Sequence, residues 1–91
     1  MKLFLLLALS VLVFQTVNKV PDEKTAIKIA EVEWLKIYGD RIYDKTPFCA
    51  ELENDSIWHV YGTLSPITLG GVPEAYINKR TAEVIKITHG R

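Results

Sequence analysis

Two glycines and a few scattered polar side chains are the places where this chain could do chemistry. Gly70-Gly71 lies inside "PITLGGVPEAYI", residues 66–77. Such a pair cradles a phosphate when it joins a strand to a helix N-terminus, whose free amides then face the anion. Here Val72, Pro73 and a strand-like run follow, and no Lys-Ser or Lys-Thr stands at P-loop spacing. The pair therefore reads as part of a long hairpin connection, Ser65 to Pro73, with glycine where φ is unusual. Cys49, His59 and His89 are metal-ligand types, but no two of them are closely spaced enough to start a site. Cys49 as a nucleophile would need an electropositive setting, and Glu51 and Glu53 stand beside it. It is the only cysteine, so no intramolecular disulfide can form, and its place next to Phe48 predicts burial. The carboxylate pairs Glu31/Glu33 and Glu51/Glu53 read as exposed side chains. The expectation is no catalytic residue, no metal site and no cofactor: not an enzyme.

The chain has 91 residues, room for at most one domain. Its opening, "MKLFLLLALSVLVF", places Lys2 ahead of a predominantly apolar run from Leu3 to Phe14. That run is too short to span a bilayer as a helix, but it has the length of a secretory h-region and no polar stripe. Residues 1–18 are expected to be a signal peptide or an N-terminal hydrophobic anchor, with the protein exported to the periplasm or cell envelope. If retained, residues 3–14 would give transient membrane association. Residues 20–91 form the expected domain, near the lower size limit for one core without staples. Eleven basic and eleven acidic side chains give a formal net charge of +0, leaving no basic surplus for nucleic acid.

The elements follow from capping and periodicity. "VPDEKTAIKIAEVEWLKIYG" predicts a helix, with Asp22 accepting from the first free amides and Glu23 at the positive end of the dipole. Ile27, Ala30, Trp34 and Ile37 form its apolar stripe, widened by Ile29 and Tyr38, and Gly39 stops it. "DRIYDKTP" reads as an irregular connection. From Phe48 the period becomes two: "FCAELE", a turn at "NDS", then "IWHVYGTL". A two-residue turn would set Leu52 opposite Ile57. Phe48, Ala50, Ile57, His59 and Tyr61 would then share one side, with Cys49, Glu51, Trp58 and Val60 on the other. "EAYINK" and "EVIKITH" are the third and fourth strands, joined at Arg80-Thr81, with Ile77, Ile85 and Ile87 facing the core. The fold class is α+β: one N-terminal helix packed on a four-stranded antiparallel meander. Ile27, Trp34 and Leu52 are expected between helix and sheet.

The helix stretch, with "IYDKTPFCAEL", "IWHVYGTL", "LGGVPEAYINK" and the terminal "KITHG", resembles a family of small bacterial immunity proteins encoded beside polymorphic toxins. The likeness runs from about Val20 to Gly90. It implies a nuclear-transport-factor-2-like fold, here a reduced cystatin-like or nuclear-transport-factor-2-like roll. It also implies a protein that binds and neutralises a cognate toxin domain by stoichiometric occlusion. The family pattern carries glycine where this chain has Asp55, and often where it has Ala82. No toxin-binding residue carries over from the resemblance.

Toxin occlusion calls for an exposed patch with aromatic anchors, for which Tyr43, Trp58, Tyr61 and Tyr76 are the candidates. The expected surface is the sheet side away from the helix, together with the Ser65–Pro73 loop. The alternative is an exported small-ligand-binding or envelope-protease-inhibitory module.

Overall fold

The computed structural model describes residues 17–64 and 70–90. The expected export segment up to residue 16, and residues 65–69 of the Ser65–Pro73 connection, lie outside them. Among the described residues no helix is long and apolar enough to cross a membrane.

Helix α1 spans Glu23–Tyr38. Asp22 caps it as expected, its Oδ1 accepting from the Thr25 amide at 2.9 Å and the Thr25 hydroxyl at 2.6 Å. Those bonds, the hydroxyl's foremost, hold the Asp22 carboxyl below its ordinary value by favouring the ionised form. Gly39, at φ 73°, ends the helix, and its N–H returns to the Leu35 carbonyl. The next segment is not irregular. Gly39–Lys45 winds as a 3-10 helix because Ile42 turns inward and is buried, giving the segment an apolar foothold.

Strands β1 (Cys49–Glu53), β2 (Ile57–Tyr61), β3 (Pro73–Asn78) and β4 (Val84–His89) pair in chain order as one antiparallel sheet. This is the expected helix on a four-stranded meander. The Gly70-Gly71 pair leads into β3 rather than a helix, with Gly70 at φ 94°, so it bends the connection and caps no anion site.

Ala26, Ala30 and Trp34 recur every fourth residue and face Ala50, Trp58, Val60, Ala75 and Ile77 across the interface. Alanine at the contact lets helix and sheet approach closely around the Trp34 ring, which is fully buried. Phe48 meets that ring edge-on at 5.1 Å, and the Trp34 indole N–H donates to the Glu74 carbonyl at 3.3 Å. Ile27 and Leu52 pack against this cluster half-buried. Ile37, expected in the stripe, remains 57% exposed where α1 gives way to the 3-10 turn. The chain enters the fold at Val20, whose N–H bonds to the Lys79 carbonyl at 2.9 Å and whose carbonyl accepts the Trp58 indole N–H at 2.8 Å.

Strand register departs from expectation by one residue in the first hairpin, and in the second a bulge displaces one expected core residue. Asn54 and Asp55 do take positive φ, 53° and 59°, and the Ser56 amide bonds to the Glu53 carbonyl. Ser56 is nevertheless left over, and pairing begins at Glu53↔Ile57 rather than Leu52↔Ile57. A one-residue slip moves every side chain of a strand to the opposite face. Ala50, Leu52, Trp58 and Val60 therefore face the helix, while Cys49, Glu51, Glu53, Ile57, His59 and Tyr61 face away. In the second hairpin Tyr76 pairs with Lys86 but Ile77 with Val84, so Ile85 is the bulged residue. Ile85 is 48% exposed and outside the core; Val84 takes the place expected for it, beside Ile77 and Ile87.

Candidate functional site

The four aromatic candidates separate into three environments. Trp58 is core, held by its bond to Val20, and leaves the list of exposed anchors. The register shift decides this, because it turns position 58 toward α1. Tyr43 is exposed on the 3-10 helix, where its hydroxyl donates to Glu31 Oε2 and its ring lies 6.2 Å from Phe48. That bond raises the Tyr43 phenol above its ordinary value, with burial and the Glu31 charge adding. Tyr61 and Tyr76 lie on the open face of the sheet and come together there.

His59 joins them. On β2 it alternates with Trp58 and Val60, so their burial directs its ring outward. Pairing sets it opposite Glu51 on one side and Tyr76 on the other. Its ring stacks on Tyr76 at 4.5 Å and 1°, and leans on Tyr61 at 5.1 Å. Nε2 lies 2.8 Å from Glu74 Oε1, and Nδ1 lies 3.5 Å from Glu53 Oε2. A doubly protonated ring donates to both carboxylates, whereas a neutral one donates to a single partner.

The remaining groups extend the row. The Tyr61 hydroxyl donates to Glu51 Oε2 at 2.6 Å, and this bond, foremost, pushes the phenol up to about 12. Partial burial and the Glu51 charge act in the same direction, because both disfavour a phenolate. Burial raises the Tyr76 phenol as well, with the Glu74 and Glu53 charges adding. Lys86 sets its ammonium 5.8 Å from the Tyr76 ring centre. Tyr61, His59, Tyr76 and Lys86 thus run as a band across β2, β3 and β4, flanked by Glu51, Glu53 and Glu74. At one end is a shallow 390 Å³ hollow lined by Glu51, His59, Tyr61, Val72, Glu74 and Gly90.

The other sequence candidates are dispersed. His89 is on the helix side, edge-on to Tyr38 at 5.6 Å, so the two histidines do not converge. Cys49 is half-buried opposite Tyr61, which is less burial than expected, because its strand position faces the open side. Glu31 takes the Tyr43 hydroxyl and Glu33 pairs with Lys36 at 3.1 Å. Among the described residues no group of three or more histidine, cysteine or acidic side chains has the geometry to hold a metal.

Glu74, Val72 and Gly90 are the residues that sequence reasoning passed over. Glu74 had a signal, since it stands two before Tyr76 in a strand and so shares its face. Val72 and Gly90 had none. They meet through the Gly90 N–H bond to the Val72 carbonyl, at 2.9 Å, which only the β3–β4 pairing creates. The open face can bind and it can present charge. Its tyrosines are made harder to ionise, and its imidazole is held between carboxylates.

One family model, described as NTF2 fold immunity protein, matches residues 25–91. That stretch contains nearly all of α1, every strand and all residues of the open-face band. No curated protein and no solved structure matches the chain.

Proposed function

The chain belongs to the NTF2-fold immunity protein family, and from that premise we propose that it neutralises a cognate toxin domain by stoichiometric occlusion through the open sheet face. The observation that carries this reading is the state of that face. Its aromatic rings and carboxylates are stacked and hydrogen-bonded to each other. A partner that docks there has few rotamers left to freeze, which lowers the entropic cost of association. Tyrosines supply large contact area on stiff side chains, the type that dominates protein interfaces. The hollow beside them is shallow and open to solvent. A small molecule needs most of its surface buried, so the shape of this hollow favours a protein partner at the open face.

Occlusion needs slow dissociation, hence a desolvated centre, and His59 and Tyr76 occupy the centre of the face. Family membership supports a binding role without catalysis of its own. The Leu3–Phe14 run supports export, which would bring inhibitor and toxin into one compartment of the cell envelope.

The test is to express the toxin domain encoded by the neighbouring gene in the envelope of a sensitive strain, with and without this protein. Survival only in its presence, with one-to-one binding of the purified pair, is the expected outcome. Equal killing and no binding would overturn the reading.

A further inference from the structure

Charge is not spread evenly over this neutral chain. Among the described residues the open sheet face carries three carboxylates, Glu51, Glu53 and Glu74, against one lysine, Lys86. Among those residues the side chains of Glu53 and Glu74 have only the His59 ring as a polar partner, and Glu51 is held by the Tyr61 hydroxyl. A second copy laid face to face would bring together twice as many carboxylates and only two lysines, so the charge disfavours self-association through this face. It calls for a basic partner. Aromatic rings beside the carboxylates narrow the choice further. The hollow lined by Glu51, Glu74, Tyr61, His59, Val72 and Gly90 combines carboxylate acceptors with ring faces. Arginine uses both at once, because its planar fork bonds carboxylates while its face stacks on an aromatic ring.

We propose that the open sheet face docks a basic, convex surface of the toxin domain and seats one of its arginine side chains between Glu51 and Glu74. This rests on the neutralisation reading and adds the chemistry of the partner. Gly90 is part of the seat. A Cβ there would collide with Glu74 Oε2, so glycine leaves room for the carboxylate at the edge of the hollow.

Two measurements on the full chain test the proposal. In the first, affinity for the neighbouring gene's toxin domain is compared between the wild type and Glu51→Gln, Glu74→Gln, Gly90→Ala and a helix control, Glu33→Gln. Each of the first two should weaken binding about tenfold or more, as expected for a desolvated charge pair, and added salt should weaken the wild type more than the variants. Gly90→Ala should act in the same direction without removing charge, while Glu33→Gln should leave affinity unchanged. Unchanged thermal midpoints for all four would show that the fold is intact. In the second, N-acetyl-arginine amide is titrated into the protein and followed by NMR. Shifts should centre on Glu51, His59, Tyr61, Val72, Glu74 and Gly90, and N-acetyl-lysine amide should produce smaller ones.

Toxin binding that ignores Glu51→Gln and Glu74→Gln would overturn the arginine seat and leave neutralisation standing. A toxin domain that fails to bind the wild type would overturn neutralisation, and the titration then decides the seat alone. Shifts that are absent, scattered or equal for lysine would overturn it.

Discussion

The two faces of this sheet are built from the same four strands, yet they differ in kind. Toward the helix, Ala50, Trp58, Val60, Ala75 and Ile77 form a dry contact with Ala26, Ala30 and Trp34. Away from it, Glu51, His59, Tyr61, Glu74 and Tyr76 form a partly buried polar band. Along β3 the alternation is strict: Pro73, Ala75 and Ile77 are buried, and Glu74, Tyr76 and Asn78 are half-buried. Stability resides on the first face, and the proposed recognition surface is the second. A domain of about 70 residues buries too little surface to place costly groups in its core, so the polar network lies on the side where water can still help solvate it. Trp34 connects the two: its indole bonds to the backbone of Glu74, whose side chain holds His59 on the far side.

Substitutions can break this division. Trp34→Ala should cost about 3–5 kcal/mol, the range for deleting a large buried aromatic, and leave the fold barely stable. An unchanged denaturation midpoint would mean that the helix-side face is not the stabilising one. His59→Ala should cost far less, about 1 kcal/mol, for a lost stack and a partly exposed ion pair. His59 is 19% exposed and its partners Glu74 and Glu53 are 22% and 48% exposed, so solvent already weakens these pairs. That variant should lower its midpoint far less than Trp34→Ala does while losing toxin affinity, as chemical denaturation and a binding measurement on one preparation would show.

The division also depends on register, and register depends on turns. Ala82 sits at φ 69°, a left-handed conformation that costs a residue with a Cβ about 1 kcal/mol. Ala82→Gly should therefore stabilise the domain by about that amount, as a rise in thermal midpoint. Asp55, at φ 59°, occupies the matching place in the first hairpin, but the cost is smaller for aspartate. A midpoint lowered by Ala82→Gly would show that this turn does not carry the strain assigned to it.

The smallest effect is one of titration. The Tyr61 phenol is raised to about 12, so its neutral form is the one the fold favours. The stabilisation from its bond to Glu51 is complete below pH 10.0, the ordinary phenol value, and is lost as pH rises through about 12. An ultraviolet titration of the wild type against Tyr61→Phe should show the Tyr61 phenol ionising well above its ordinary value. Glu51→Gln should bring it down toward that value, and a wild-type Tyr61 that titrates normally would place its hydroxyl away from Glu51.

Much of this arrangement was legible before any coordinates, and the parts that were not share a cause. Asp22, Gly39 and the helical spacing of Ile27, Ala30, Trp34 and Ile37 mark α1 through local signals of capping and periodicity, although Ala26 is fully buried where Ile27 is half-buried and Ile37 stays exposed. The change of period at Phe48 marks the sheet, and the residues after Gly70-Gly71 rule out a phosphate loop. The open face was the expected surface, and Tyr61 and Tyr76 were named among its anchors, but the rest of the band was not. Ser56 in one hairpin and Ile85 in the other each displace the register by one, and nothing local distinguishes the displaced pairing from the regular one.

The sequence by itself determined the helix, its caps, the number of strands and their antiparallel order, because those depend on neighbours within a few residues. Tertiary structure alone decided that Trp58 is core and His59 is surface, that Ile42 folds inward, and that Glu51, Glu74 and Gly90 meet around one hollow. The physical reason is the two-residue period of a strand. With side chains alternating between faces, one extra turn residue exchanges inside for outside along a whole strand. Which exchange prevails is settled by the fit of a distant helix against the buried side. Here the Trp34 ring and two alanines on α1 close over Trp58, Val60 and Ala75, and the tyrosines and glutamates are left facing outward.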